Sequence, residues 1–112
     1  MAIERWSERV VVVQLADDPH FGDTIDALIF MIKAEPLDVV LNLSAVHHVN
    51  SSNLGRLLQL RRIQNDANRR LVLCGISNSV WSVFLLTALD KLFDYSDDVT
   101  TSLATLQMED PH

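Results

Sequence analysis

Apolar residues fall into short unbroken runs, separated by stretches in which they recur every three or four positions. That is the pattern of buried strands alternating with amphipathic helices. Val10-Val11-Val12-Val13-Gln14-Leu15 is a β-branched run behind the polar Ser7-Glu8-Arg9. It predicts an opening hairpin, with a first short strand ending near Trp6 and a second strand over residues 10–15. Asp17-Asp18-Pro19 breaks that strand. Asp23 or Thr24 can then cap a helix carrying Ile25, Leu28, Ile29 and Ile32 at helical spacing, with Pro36 marking its end. Val39-Val40-Leu41 shows no alternation, so both faces of this strand should be covered, as in the middle of a sheet.

A long loop leads to a helix from about Ser51 to Ala67, with Leu54, Leu57 and Leu58 on one stripe and Leu60 and Ile63 widening it. Leu71 to Cys74 reads as the next buried strand, ended by Gly75. Ser77 or Asn78 can cap a third helix with Val80, Val83, Phe84 and Thr87 on one face and Trp81 and Leu85 as a flanking pair. A last helix is predicted over Val99 to Leu106, and Glu109 to His112 read as a polar, frayed tail. The order strand, strand, helix, strand, helix, strand, helix, helix implies an α/β fold whose mixed sheet has a mostly parallel centre.

At 112 residues, with neither repeat nor linker, the chain is of single-domain size, and the domain is expected over residues 1–108. Apolar residues make up 48% and charged residues 21%, which is a globular composition. A formal net charge of −6 disfavours phosphate backbones and anionic lipid, so nucleic acid is not expected as a partner. No apolar run approaches the roughly 20 residues that a membrane helix needs. Glu4, Arg5 and Trp6 stand where a signal peptide would be apolar, so a cytoplasmic protein without membrane insertion is expected. The single cysteine, Cys74, lies within an apolar strand and reads as a buried core thiol.

His47 and His48 are adjacent, so in extended chain they point to opposite sides, and no third ligand stands at a recognisable spacing. No metal, cofactor or catalytic residue is expected. A serine hydrolase would need a Gly-x-Ser-x-Gly elbow, and a nucleotide-binding domain a Gly-rich phosphate loop; the chain has neither.

The segment Asp38-Val39-Val40-Leu41-Asn42-Leu43-Ser44-Ala45-Val46-His47-His48-Val49-Asn50-Ser51-Ser52-Asn53-Leu54-Gly55 resembles the STAS signature. That signature is a buried strand, a loop, and an Asp-Ser-Ser-Gly-Leu-Gly type turn opening a helix. Leu71 to Gly75 followed by Ser77 resembles the family's next strand and helix start, and Leu89-Asp90-Lys91-Leu92-Phe93 resembles the segment after its third helix. The similarity spans nearly the whole chain and is weaker before residue 37. It implies a STAS-like mixed sheet packed with about four helices, working as an anti-sigma factor antagonist rather than as an enzyme.

In such antagonists the first serine of the turn is phosphorylated by an anti-sigma factor that is itself a kinase, and the unmodified form binds that kinase to free the sigma factor. Ser51 is the matching position, with Ser52 as runner-up. The implied contact surface is Asn50, Ser51, Ser52, Asn53, Leu54, Gly55 and Leu58. Three positions depart from the family pattern: Asn50 replaces the Asp before the serine, Asn53 replaces a Gly, and His20 stands near the family's Asp between second strand and first helix. A STAS scaffold that is never phosphorylated, serving a signalling or transport complex, is the alternative. If exposed, Trp81 and Leu85 would anchor a partner or a second copy in a homodimer.

Overall fold

The computed structural model describes residues 2–109. Its centre is a five-stranded sheet in the order β1-β2-β3-β4-β5, so spatial order follows chain order. β1 (Ile3–Arg5) and β2 (Val10–Ala16) form the antiparallel opening hairpin. Its turn is closed by the N–H groups of Trp6 and Ser7, both bonded to the Val10 carbonyl. β3 (Asp38–Ala45), β4 (Leu71–Cys74) and β5 (Asp94–Ser96) extend the sheet in parallel.

Each parallel step needs a crossover, and right-handed crossovers between strands laid down in one direction put their helices on one face. α1 (His20–Ala34), α2 (Ser51–Asp66) and α3 (Asn78–Leu86) are those helices. They bury Phe21, Ile25, Leu28, Leu57, Leu60, Val80 and Phe84 against the alternate strand residues Val11, Val13, Val39, Leu41, Leu43 and Leu73. After β5 the chain folds back, and α4 (Val99–Glu109) covers the other face, where Leu106 meets Val10, Val12, Val40, Val72 and Cys74. The Cys74 thiol is buried there, and burial pushes its pKa up.

The structure corrects four expectations. It has a fifth strand: Asp94-Tyr95-Ser96 is too short and too polar to show as a hydrophobic run, and it pairs at the sheet edge with residues 72–74. α1 begins at His20, three to four residues before the proposed cap. Phe21, Gly22 and Thr24 are buried in its first turns, and Asp18 Oδ1 accepts the Gly22 N–H at 3.2 Å. The buried stripe of α2 is Asn53, Leu57, Leu60 and Gln64, while Leu58 faces solvent. Gln64 belongs inside because its Nε2 donates to the carbonyls of Leu37 and Arg70, both at 2.8 Å. α4 runs on through Glu109, beyond the expected end at Leu106, and Asp110 to His112 lie outside the described residues.

Gly75 ends β4 with φ +68°, and a Cβ there would come within 2.8 Å of Asn42 Oδ1. Asn42 in turn donates to Gln14 Oε1 at 2.7 Å, which ties the C-terminal ends of β2 and β3 together.

Candidate functional site: the first turn of α2 and the loops around it

Three loops meet at the C-terminal ends of the parallel strands: residues 17–19 after β2, 46–50 after β3 and 75–77 after β4. The loop after β3 leads into α2, whose N-cap is Asn50. Asn50 Oδ1 accepts the Asn53 N–H at 2.8 Å, and Asn53 Oδ1 accepts the Asn50 N–H at 3.1 Å. This reciprocal pair satisfies two backbone donors at once, the arrangement usually made by Ser or Thr with Glu or Gln. It explains Asn53: the side chain is 2% exposed and fully employed, with its Nδ2 donating to Asp18 Oδ2 at 3.0 Å.

Asp18 Oδ2 also accepts Asn50 Nδ2 at 3.1 Å. The bond from Asn53 is the main cause of a lowered Asp18 pKa, with the Gly22 N–H and Asn50 contributing. The neighbouring Asp17 grips the loop after β3. Its Oδ1 accepts the N–H groups of His47 at 2.7 Å and His48 at 3.1 Å, and its Oδ2 lies 3.0 Å from His47 Nδ1. Those two backbone donors hold the Asp17 carboxyl down to about 2. Ser79 at the start of α3 lies 3.4 Å from the His47 carbonyl, which links the third loop to the second.

The two serines differ in their engagement. Ser52 Oγ accepts Arg56 Nη1 at 2.9 Å, and Arg56 lies across Gly22 of α1 to pair with Asp26 at 3.1 Å. Ser51, the first residue of α2, is exposed and enters none of the bonds that hold the cap. The N–H groups of this first turn have no acceptor within the helix, and the helix dipole places positive potential there. Two surface clefts, of about 530 and 240 Å³, lie at the opposite end of the strands, near Arg69 and Arg70.

Sequence reasoning brought Asn50, Ser51, Ser52 and Asn53 together correctly as one turn, but it missed Asp17, Asp18 and Arg56. The carboxylates lie some thirty residues earlier in the chain, and only the parallel pairing of β2 with β3 brings them to α2. Asp18, not His20, is the side chain that meets the cap; the His20 ring lies 3.4 Å from Thr24 Oγ1 within α1. Gly55 and Leu58 are exposed on α2, with Leu54 half-buried. The pair on α3 divides: Trp81 packs edge-on to Tyr95 at 4.9 Å and joins the core, whereas Leu85 stays 52% exposed. Among the described residues no group of His, Cys, Asp or Glu could hold a metal ion, and no helix is long and apolar enough to cross a membrane.

Comparison with known proteins gives a match to the family model of the STAS domain over residues 2–104. Among solved structures, a candidate anti-sigma factor antagonist from Thermotoga maritima superimposes with a TM-score of 0.83 at 16% identity, covering 94% of this chain and 92% of that one. A chain of the stressosome, titled a signal integration and transduction hub, gives 0.80 at 19% identity, covering 98% and 99%. The Bacillus cell fate determinant SpoIIAA in its phosphorylated form gives 0.73 at 16% identity, covering 93% and 96%. At these identities the structures establish a shared fold.

Proposed function

This chain belongs to the STAS domain family, and we propose that it is an anti-sigma factor antagonist whose contact surface is the first turn of α2 and whose regulatory residue is Ser51. It is read as a binding protein, not an enzyme: it engages an anti-sigma factor in the cytoplasm and so frees a sigma factor. The observation that carries this is the contrast between the serines. Ser51 stands exposed at the head of α2, while Ser52 is held by Arg56. Relatives of the same fold support it, one of them titled as a phosphorylated form.

A phosphate on Ser51 adds about −1.5 to −2 charges. Beside the N–H groups of its own helix that charge is favoured by roughly 0.3 to 1 kcal/mol. The domain therefore stays folded, and the partner reads the change, because a surface shaped for a hydroxyl must accept a dianion.

The test is incubation with ATP and candidate anti-sigma kinases from the same organism, followed by location of phosphate by mass spectrometry. Modification of Ser51 that abolishes binding supports the reading, whereas modification of Ser52 alone removes Ser51 from it. A second reading, an assembly subunit that is never phosphorylated, is favoured by one feature. Asn50 offers an amide where a carboxylate would serve proton or Mg²⁺ chemistry. Tight binding with no phosphate incorporated by any kinase selects it.

A further inference from the structure

The chain has three glycines, and two have an internal reason. Gly75 takes a positive φ, and Gly22 makes room for the Arg56 guanidinium, whose Cζ would lie 3.1 Å from a Cβ. Gly55 has neither. It sits inside α2 with helical backbone, it is exposed, and a Cβ there would meet nothing within 4 Å. Glycine is among the poorest helix formers, and alanine at such a place stabilises a helix. The fold thus tolerates a destabilising residue that its own packing does not require.

Gly55 lies on a line of exposed positions, Ser51, Gly55, Leu58 and Arg62, spaced by four, three and four residues on one side of α2. Leu58 is 37% exposed. The arginines of this helix are not equivalent. Arg56 is held by Asp26 and Ser52, and Arg61 donates to the Leu92 carbonyl at 2.6 Å. Among the described residues Arg62 enters no ion pair, although the chain as a whole carries −6.

We infer that Gly55 is where a partner's main chain closes on α2, and that the docking segment sets an apolar side chain on Leu58 and a carboxylate on Arg62. This rests on the reading of α2 as the contact surface for an anti-sigma factor, and it specifies that partner's chemistry. The bare helix surface at residue 55 admits a backbone to a depth that a methyl group would block. Leu58 supplies apolar area beside it, and Arg62 supplies the charge that selects an acidic segment over a basic one.

The experiment compares wild type, Gly55→Ala and Arg62→Glu, each for melting temperature and for affinity toward an anti-sigma factor that binds the wild type. Gly55→Ala is expected to raise the melting temperature by about 2–5 °C while weakening binding about tenfold or more. Arg62→Glu should leave the melting temperature within about 3 °C and weaken binding about tenfold, with a flatter dependence on salt. Reversing a carboxylate on the partner to Lys should restore the Arg62→Glu affinity. Unchanged affinity in Gly55→Ala, or a fall in its melting temperature, overturns the inference and leaves the proposed function standing. Failure of the wild type to bind any anti-sigma factor overturns both.

Discussion

The Asp18 carboxylate accepts the side-chain amide of Asn53 at 3.0 Å, so the loop after β2 is fastened to the first turn of α2. Where the family's signature has a glycine, this chain has a buried amide that both completes the cap and holds that loop. Asn53→Gly removes the acceptor for the Asn50 N–H and the donor to Asp18 together, and adds a flexible residue in the first turn. The loss of the cap partner alone should cost about 1–2 kcal/mol, read as a lowered midpoint of urea unfolding with unchanged slope. A variant as stable as wild type would show that the paired amides are incidental.

Asp17 makes stability depend on acid. Its carboxyl is held down to about 2 by the backbone N–H groups of His47 and His48, against about 4 in an unfolded chain. Above about pH 5 both states are ionised and the contribution is whole. As pH falls from about 4 to 2 the unfolded state takes up a proton first, and the contribution is lost. The gap in melting temperature between wild type and Asp17→Asn should therefore be widest above about pH 5 and close toward pH 2. A gap that does not vary with pH would mean that the charge is not what Asp17 provides.

Gln64 offers a test inside the core. It is 1% exposed, and its Nε2 is the donor for the carbonyls of Leu37 and Arg70, which joins α2 to the segments entering β3 and β4. Gln64→Leu keeps the bulk and removes the donor, leaving the buried Leu37 carbonyl unpaired while the Arg70 carbonyl keeps the Val39 N–H at 3.0 Å, for an expected loss of about 1–3 kcal/mol in chemical denaturation. A gain in stability would show that shape alone matters at this position.

The same residue marks what could be read from the chain and what could not. The runs at 10–15, 39–41 and 71–74 were legible as strands because they are buried on both faces, and the hairpin because its turn is polar. The inward stripe of α2 was misjudged because two of its four positions, Asn53 and Gln64, are polar, and hydrophobic spacing cannot mark a buried amide. β5 escaped for the same reason, since its Asp94, Tyr95 and Ser96 make an edge rather than a core. At the site, the turn from Asn50 to Asn53 is a local pattern and could be found. The two carboxylates, Asp18 on that turn and Asp17 on the loop before it, are neighbours of it only through the register of β2 on β3.

Ser51→Asp separates regulation from folding. A carboxylate at the first position of α2 faces the helix N-terminus, so the melting temperature should stay within a few degrees of wild type. Affinity for the anti-sigma factor should fall about tenfold or more, because the charge sits in the contact surface. Equal affinity for both proteins would remove Ser51 from the interface. An unfolded variant would show that the hydroxyl serves the fold.

Asn50 is where the family's carboxylate is replaced, and the structure makes restoring it costly. Asn50 Oδ1 caps the Asn53 N–H, a role Asp performs equally well, but Asn50 Nδ2 donates to Asp18 Oδ2 at 3.1 Å. Asn50→Asp keeps the cap, deletes that donor and sets two carboxylates against each other. The variant should be less stable than wild type near pH 7. One carboxyl of the pair should titrate above its ordinary range, so the deficit should shrink as pH falls through that raised value and a shared proton bridges the two. Asp18→Asn in the same chain should rescue Asn50→Asp in part at neutral pH, because it returns a donor to the pair with the partners exchanged but takes from Asn53 Nδ2 the acceptor it has at 3.0 Å. Thermal unfolding of wild type, both single variants and the double variant from pH 7 to pH 4 decides it, read as a double-mutant cycle. A strong coupling at pH 7 that fades in acid places Asn50 and Asp18 in one unit, so that exchanging the amide at residue 50 requires a change at residue 18. Additive effects at every pH would mean that the 3.1 Å contact carries no energy and that Asn50 could revert to a carboxylate freely.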